Sequence, residues 1–184
     1  MEKPRFIIGI DPDVEKSGVA VLYTETRQFT IIQPASLYEV LVLFAETKKT
    51  IMEGGNAVVV IEDSDSTTNW HIDKLEYAPL NLKGKLRKAA AMGHGAGMCH
   101  ATQRHIEEFA KECSLEVVKQ KPLKKTWMGR DGKITQEEIM QFIPGLPKKI
   151  NQECRDAALL AWNEAGLPIR IPASFYIEHN KNKL

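Results

Sequence analysis

The stretch that decides the fold is Arg5–Pro12, RFIIGIDP. Its isoleucine-rich run reads as a short buried strand, and Asp11-Pro12 stops it in a turn. After Gly18, Val19–Tyr23 (VAVLY) reads as a second strand and Gln28–Gln33 (QFTIIQ) as a third. Connections this short predict an antiparallel meander.

Ser36 with Glu39 three residues on is a capping box, and it opens a helix whose apolar face is Leu37, Val40, Leu41, Phe44 and Ala45. Gly54-Gly55 ends that helix. Ala57–Ile61 (AVVVI) is the strongest strand signal, a β-branched run expected to be buried on both faces. Ser64 to about Leu82 is polar and aromatic without a clear period, and a long loop of that kind is often functional. Leu86 to about Lys111 reads as a long helix, Val117-Val118 as a fifth strand, and Thr135 with Glu138 as a second capping box opening a helix to about Phe142. Asn151–Ala165 is the last expected helix, with Ala157, Ala158, Leu160 and Ala161 facing inward. The order predicts an α/β fold: a three-strand antiparallel meander plus two parallel strands in one mixed sheet, with helices on both faces. Residues 1–166 form the expected domain, and 167–184 a loose, proline-bearing and then lysine-rich C-terminal extension.

Three acidic positions lie where this topology can bring them together. Asp11 ends the first strand. Glu62 ends the fourth, at the same edge if the two strands are parallel neighbours. Glu153 and Asp156 share a face of the last helix. Clustered carboxylates repel, and hard cations relieve the repulsion. Singly, each acid has a plainer reading, Asp11 as a turn starter and Glu153 and Asp156 as first-turn residues favoured by the helix dipole. Together, they predict a site for two Mg²⁺ ions about 3.5–4 Å apart, clamping the two oxygens of an in-line phosphodiester displacement.

Five segments carry a resemblance. Ile7–Pro12 through Gly18-Val19-Ala20 resembles the opening of the RuvC family of Holliday-junction resolvases, which have the ribonuclease H-like fold. Val58–Glu62 (VVVIE) is similar to the family's second acidic strand, and Glu153–Ala161 (ECRDAALLA) to its final acidic helix. Ala91–Gly97 (AMGHGAG) resembles its small-residue helix, and Leu123–Gly129 (LKKTWMG) its basic segment. The resemblance covers about residues 5–165. It implies a homodimeric, Mg²⁺-dependent endonuclease, with Mn²⁺ as a possible substitute, that nicks two symmetry-related strands of a four-way DNA junction. It assigns the metals to Asp11, Glu62, Glu153 and Asp156, and a basic position near the scissile phosphate to Lys124. Two positions depart from the family pattern. Glu153 stands where the family usually has aspartate, and Asp65 where it has a junction-contacting aromatic, Trp70 being the nearest ring.

The charge distribution fits either a polyanionic partner or a solvated surface with chance clustering. Residues 1–75 hold 7 basic and 12 acidic side chains, whereas residues 76–133 hold 12 basic and 6 acidic. Lys119, Lys121, Lys124 and Lys125 form one candidate DNA-binding cluster, running on to Arg130 and Lys133. Lys83, Lys85, Arg87 and Lys88 form a second. Trp70 either stacks on an unpaired base or packs its loop onto the domain. Gly93, Gly95 and Gly97 each weaken a helix by about 0.5–1 kcal/mol relative to alanine. A close helix approach would offset that, within the domain or across a dimer axis, and the resemblance favours a homodimer through the Gly93/Gly97 helix.

The remaining composition excludes other classes. With 184 residues, 43% of them apolar and 27% charged, the chain can bury a full core without staples. No apolar run nears the ~20 residues that span a bilayer, and the N-terminus is no signal peptide, so a cytoplasmic protein is expected. Cys99, Cys113 and Cys154 are too scattered for a zinc site and read as reduced thiols. His94, His100 and His105 contain no i, i+4 pair. No second glycine-rich phosphate loop supports a nucleotide cofactor. Two alternatives remain: a nuclease of this fold acting on other branched or flapped DNA, and a non-catalytic junction-binding protein.

Overall fold

The computed structural model describes residues 4–52, 55–63, 75, 77–123 and 126–181, with side chains to 177. Five strands form one sheet in the order β3-β2-β1-β4-β5: β1 Phe6–Asp11, β2 Ser17–Tyr23, β3 Gln28–Ala35, β4 Ala57–Glu62 and β5 Glu116–Gln120. β1, β2 and β3 are the antiparallel meander, and β1–β4 and β4–β5 pair in parallel. Helices among the described residues include α1 Leu37–Met52, α2 Leu82–Glu112, α3 Gln136–Ile139, α4 Gln152–Glu164 and α5 Ala173–Lys181. This is the expected ribonuclease H-like α/β topology.

The alternation along the strands builds two cores. Ile7, Ala20, Leu22, Val58 and Val60 face α4, where Ala157, Ala158, Leu160 and Ala161 are buried as their spacing predicts. Ile8, Ile10, Val19, Val21, Val59 and Ile61 face α1 and the C-terminal half of α2, meeting Val40, Phe44, Ile106 and Ala110. β4 is therefore buried on both sides, as its unbroken β-branched run requires.

Two glycines set how closely α4 lies on the sheet. A Cβ built at Gly9 falls 2.1 Å from the Ala157 carbonyl oxygen, and one at Gly18 falls 2.0 Å from the Glu153 carbonyl oxygen. Only glycine permits backbone-to-backbone contact at that distance. The first two turns of α4, which carry Glu153 and Asp156, are thereby pressed against the edge where β1 ends.

Two boundaries differ from expectation. α2 begins at Leu82 rather than Leu86, because the Asn81 side chain accepts from the Gly84 N–H at 2.8 Å and caps it. The stretch expected to be a loose tail contains α5, and the Tyr176 hydroxyl donates to Glu138 Oε1 at 3.2 Å. The Ser64–Leu82 loop lies mostly outside the described residues. Among the described residues, no helix is long and apolar enough to cross a membrane. All three cysteines are free.

Candidate active site

The parallel register pairs Ile10 with Ile61, and one step further sets Asp11 beside Glu62. α4 crosses this edge and brings Asp156 over it. Asp11, Glu62, Asp156 and Lys133 line one cleft of about 50 Å³, walled on its apolar side by Leu123, Trp127, Leu159 and Leu160. That volume holds a few water-sized groups.

Asp156 is held at both oxygens. Gln152 Nε2 donates to Oδ1 at 2.8 Å and Lys133 Nζ to Oδ2 at 2.8 Å. The Asp11 carboxyl stands well above its ordinary pKa. Burial is the main cause, followed by the charges of Glu62 and Asp156; Lys133 opposes them, and Glu153 adds a smaller push. Lys133 is shifted upward. Burial works against its charge, but the hydrogen bond and charge of Asp156, with Asp11 and Glu62, outweigh it. The neighbouring Cys99 thiol on α2 is also pushed up, by burial and then by Asp13 and Asp11.

Lys133 is delivered by a loop that folds back on itself. Trp127 N–H donates to the Gly132 carbonyl at 3.1 Å and Gly129 N–H to the Lys133 carbonyl at 2.9 Å, across a turn in which Asp131 and Gly132 have positive φ. Fully buried Glu138 clamps both ends, accepting from the Met128 N–H at 3.0 Å and the Thr135 N–H at 3.0 Å.

The structure thus brings Asp11, Glu62 and Asp156 to one cleft. Glu153 is half-buried one turn earlier on α4, outside the cleft lining but close enough to act on Asp11. Lys124, Lys125, Trp70 and Asp65 lie outside the described residues. Arg87 and Lys88 are exposed in the first turns of α2, and Lys121 is exposed just past β5. Lys119 is ion-paired, its Nζ 3.0 Å from Glu107 Oε1, which also accepts from Gln103. Sequence reasoning missed the site roles of Lys133, Gln152 and Trp127. Lys133 was visible only as one cation in a basic run, and Gln152 only as a position one turn before Asp156.

The donor set fits a hard divalent cation. It is all carboxylate oxygen, partly desolvated, and carries more negative charge than Lys133 alone balances. Among the described residues, however, no group of three or more His, Cys, Asp or Glu side chains is arranged as a metal-binding cluster.

An α/β chain of ribonuclease H-like topology with a carboxylate–lysine cleft at the ends of β1 and β4 is the class that fold and site define. No protein-family model and no curated protein matches the sequence. Among solved structures, the chain is similar to Thermus thermophilus RuvC in complex with a Holliday junction substrate, at 13% identity and TM-score 0.50 over 95% of each chain. It is equally similar to a second Thermus thermophilus RuvC structure, at 13% identity and TM-score 0.50 over 95% of this chain and 96% of that one. The fold is RuvC-like.

Proposed function

We propose that the protein is a divalent-metal-dependent endonuclease that resolves four-way DNA junctions as a homodimer. The observation that carries this reading is the convergence of Asp11, Glu62 and Asp156 on one cleft with Lys133 among them. The RuvC-like fold and the junction bound by one of its structural neighbours support the choice of substrate.

Asp11, Glu62 and Asp156 would hold Mg²⁺, with Glu153 reaching in from the rim. When bound, the cation supplies Lewis-acid stabilisation of the phosphoryl oxygens and an acidified water. The remaining work falls to this chain's own groups. Gln152 fixes the rotamer of Asp156. Lys133 neutralises Asp156 and keeps a positive charge at the cleft, where a phosphate oxygen can exchange for the carboxylate as its partner. Leu123, Trp127, Leu159 and Leu160 close the apolar side and lower the local dielectric, which strengthens every charge interaction there. Arg87, Lys88, Lys119, Lys121, Lys124 and Lys125 would hold DNA phosphates, Lys119 only by leaving Glu107. Trp70 would stack at the crossover.

The test uses labelled four-way junction, flap and duplex with the wild type and with Asp156→Asn, in Mg²⁺ and in chelator. Symmetric junction nicks are expected. Removing one charge that stabilises the transition state by about 3 kcal/mol should slow them at least ~100-fold in the variant. Undiminished cleavage by Asp156→Asn, or in chelator, would overturn the reading. Preference for the flap would transfer it to other branched DNA.

A further inference from the structure

A second concavity adjoins the acidic cleft and has the opposite charge. It encloses about 600 Å³, and its cations are Arg130, Lys148, Lys149 and Arg155 against one acid, Glu137. Arg130, Lys148 and Lys149 are exposed. Among the described residues, Lys148 and Lys149 make no ion pair, and Arg130 has only its exposed sequence neighbour Asp131 at 3.8 Å, an interaction worth little in water. Three nearly unneutralised cations thus stand on one wall system of an otherwise nearly neutral chain.

The groove is rigidly built and is linked to the cleft by hydrogen bonds. Arg155 stitches its walls together, donating from Nε to the Ile134 carbonyl at 3.0 Å, from Nη1 to the Ile150 carbonyl at 2.6 Å and from Nη2 to Gln152 Oε1 at 2.7 Å. Gln136 ties the far side, donating to the Pro147 carbonyl at 3.0 Å and accepting from the Ile150 N–H at 3.2 Å. Gln152 links the two places. It lines the groove and donates to Asp156. The hydrogen-bonded series Arg155, Gln152, Asp156, Lys133 therefore runs from groove to cleft, and Ile134 of the groove follows Lys133 of the cleft directly in sequence.

We infer that this groove is a track for the sugar-phosphate backbone of a duplex arm leaving the cleavage centre, with Lys148, Lys149 and Arg130 touching successive phosphates. The inference rests on the proposed function and extends it to a surface that neither basic cluster of the sequence includes, apart from Arg130. A polyanion fits because the cations are separate and exposed, whereas a small anion would want a converging, buried set of donors. Arg155 supports the walls and contributes its charge.

The test compares the wild type with Lys148→Ala/Lys149→Ala and with Arg130→Ala on four-way junctions with long and with very short arms. A control, Lys49→Ala/Lys111→Ala, removes equal charge from a distant surface. Each phosphate deprived of its cation should weaken long-arm binding by about eightfold near 0.1 M salt and reduce the salt slope by about 0.9. The double variant should therefore bind long arms about 60-fold more weakly, and short arms much less so. The control should show neither change. Wild-type binding and metal-dependent cleavage with an unchanged affinity and salt slope in Lys148→Ala/Lys149→Ala would overturn the track and leave the nuclease reading intact. Equal weakening in the control would overturn it as well, by reducing the effect to net charge. Absence of any junction binding by the wild type would overturn both.

Discussion

Gly9 and Gly18 are where α4 meets the sheet, and alanine there would put a Cβ about 2 Å from a carbonyl oxygen. Gly93, Gly95 and Gly97 are where the first half of α2 runs, and a Cβ there meets nothing within 4 Å among the described residues. The same residue thus has opposite meanings in the two regions. On the α4 face, a closed approach of two backbones forces it, and that approach sets the distance between Asp156 and Asp11. On α2, nothing among the described residues closes on it, and burial in that 31-residue helix falls on Gln103, Ile106, Glu107 and Ala110.

The largest expected effect is therefore where the backbones close on each other. Gly9→Ala must push α4 outward or twist β1, and overpacking of this kind destabilises by about 1–3 kcal/mol or more. Because the displaced helix carries Asp156, junction cleavage should fall further than stability. Urea unfolding with parallel cleavage assays would check this. A variant as stable and active as wild type would mean that α4 is not held as described.

Next is the loop clamp. Glu138→Ala leaves the Met128 and Thr135 N–H groups without their acceptor and frees the Tyr176 hydroxyl. These donors are only partly buried, so each one left unpaired destabilises by about 1 kcal/mol. The expected result is a lower Tm together with loss of Lys133 from the cleft, read as a smaller drop in activity when Lys133→Ala is added to Glu138→Ala than when it is made in the wild type. Full additivity would separate Glu138 from the lysine.

The third prediction concerns charge at the site. Burial and acidic neighbours raise the Asp11 pKa in the folded chain, so the fold favours its neutral form. A group shifted in that direction is no burden below its unfolded pKa of about 3.9, and destabilises increasingly as pH rises through the folded value. In chelator at neutral pH, Asp11→Asn should thus raise Tm, by about 2–4 °C for each kcal/mol relieved, and the difference should shrink on acidification. Mg²⁺ should raise the Tm of the wild type, by about 2.7 kcal/mol of stability at a hundredfold excess over Kd, and that of the variant far less. An equal Mg²⁺ response in both would remove Asp11 from the ligand set.

Much of this was legible in the sequence. Strand and helix order follow from periodicity because burial here is strongly two-sided, and the inward face of α4 is plain in Ala157, Ala158, Leu160 and Ala161. Asp11 and Glu62 could be placed because strand ends fix their own edge. Lys133 could not, since what distinguishes it from Arg130 or Lys121 is a chain reversal made by two positive-φ residues and a buried clamp ten residues long. α5 was hidden by the prolines before it and the lysines after it, which mark a loop on composition alone. One tie to the protein is the Tyr176 hydroxyl, which reaches Glu138 across 38 positions of sequence.

The smallest effect sharpens the comparison most, because its sign is reversed. Within a lone chain, Gly93→Ala removes the backbone freedom of an exposed helical glycine and adds no clash with the described residues, so it should stabilise by about 0.5–1 kcal/mol, opposite to Gly9→Ala. Under the proposed homodimer, the open side of Gly93 and Gly97 is where a second copy lies, and exposed Leu82, Leu86 and Met98 on the same helix supply apolar surface for it. A larger substitution then discriminates. Gly97→Leu should likewise not destabilise a monomer but should dissociate a dimer, since two helices packed at glycine cannot keep their spacing around a leucine. Sedimentation at micromolar concentration reads the difference directly. A wild-type dimer that becomes monomeric in Gly97→Leu assigns the glycines to the two-fold axis. A wild-type monomer, with Gly93→Ala merely more stable, leaves them as unfilled helix surface and removes the dimer from the proposed function.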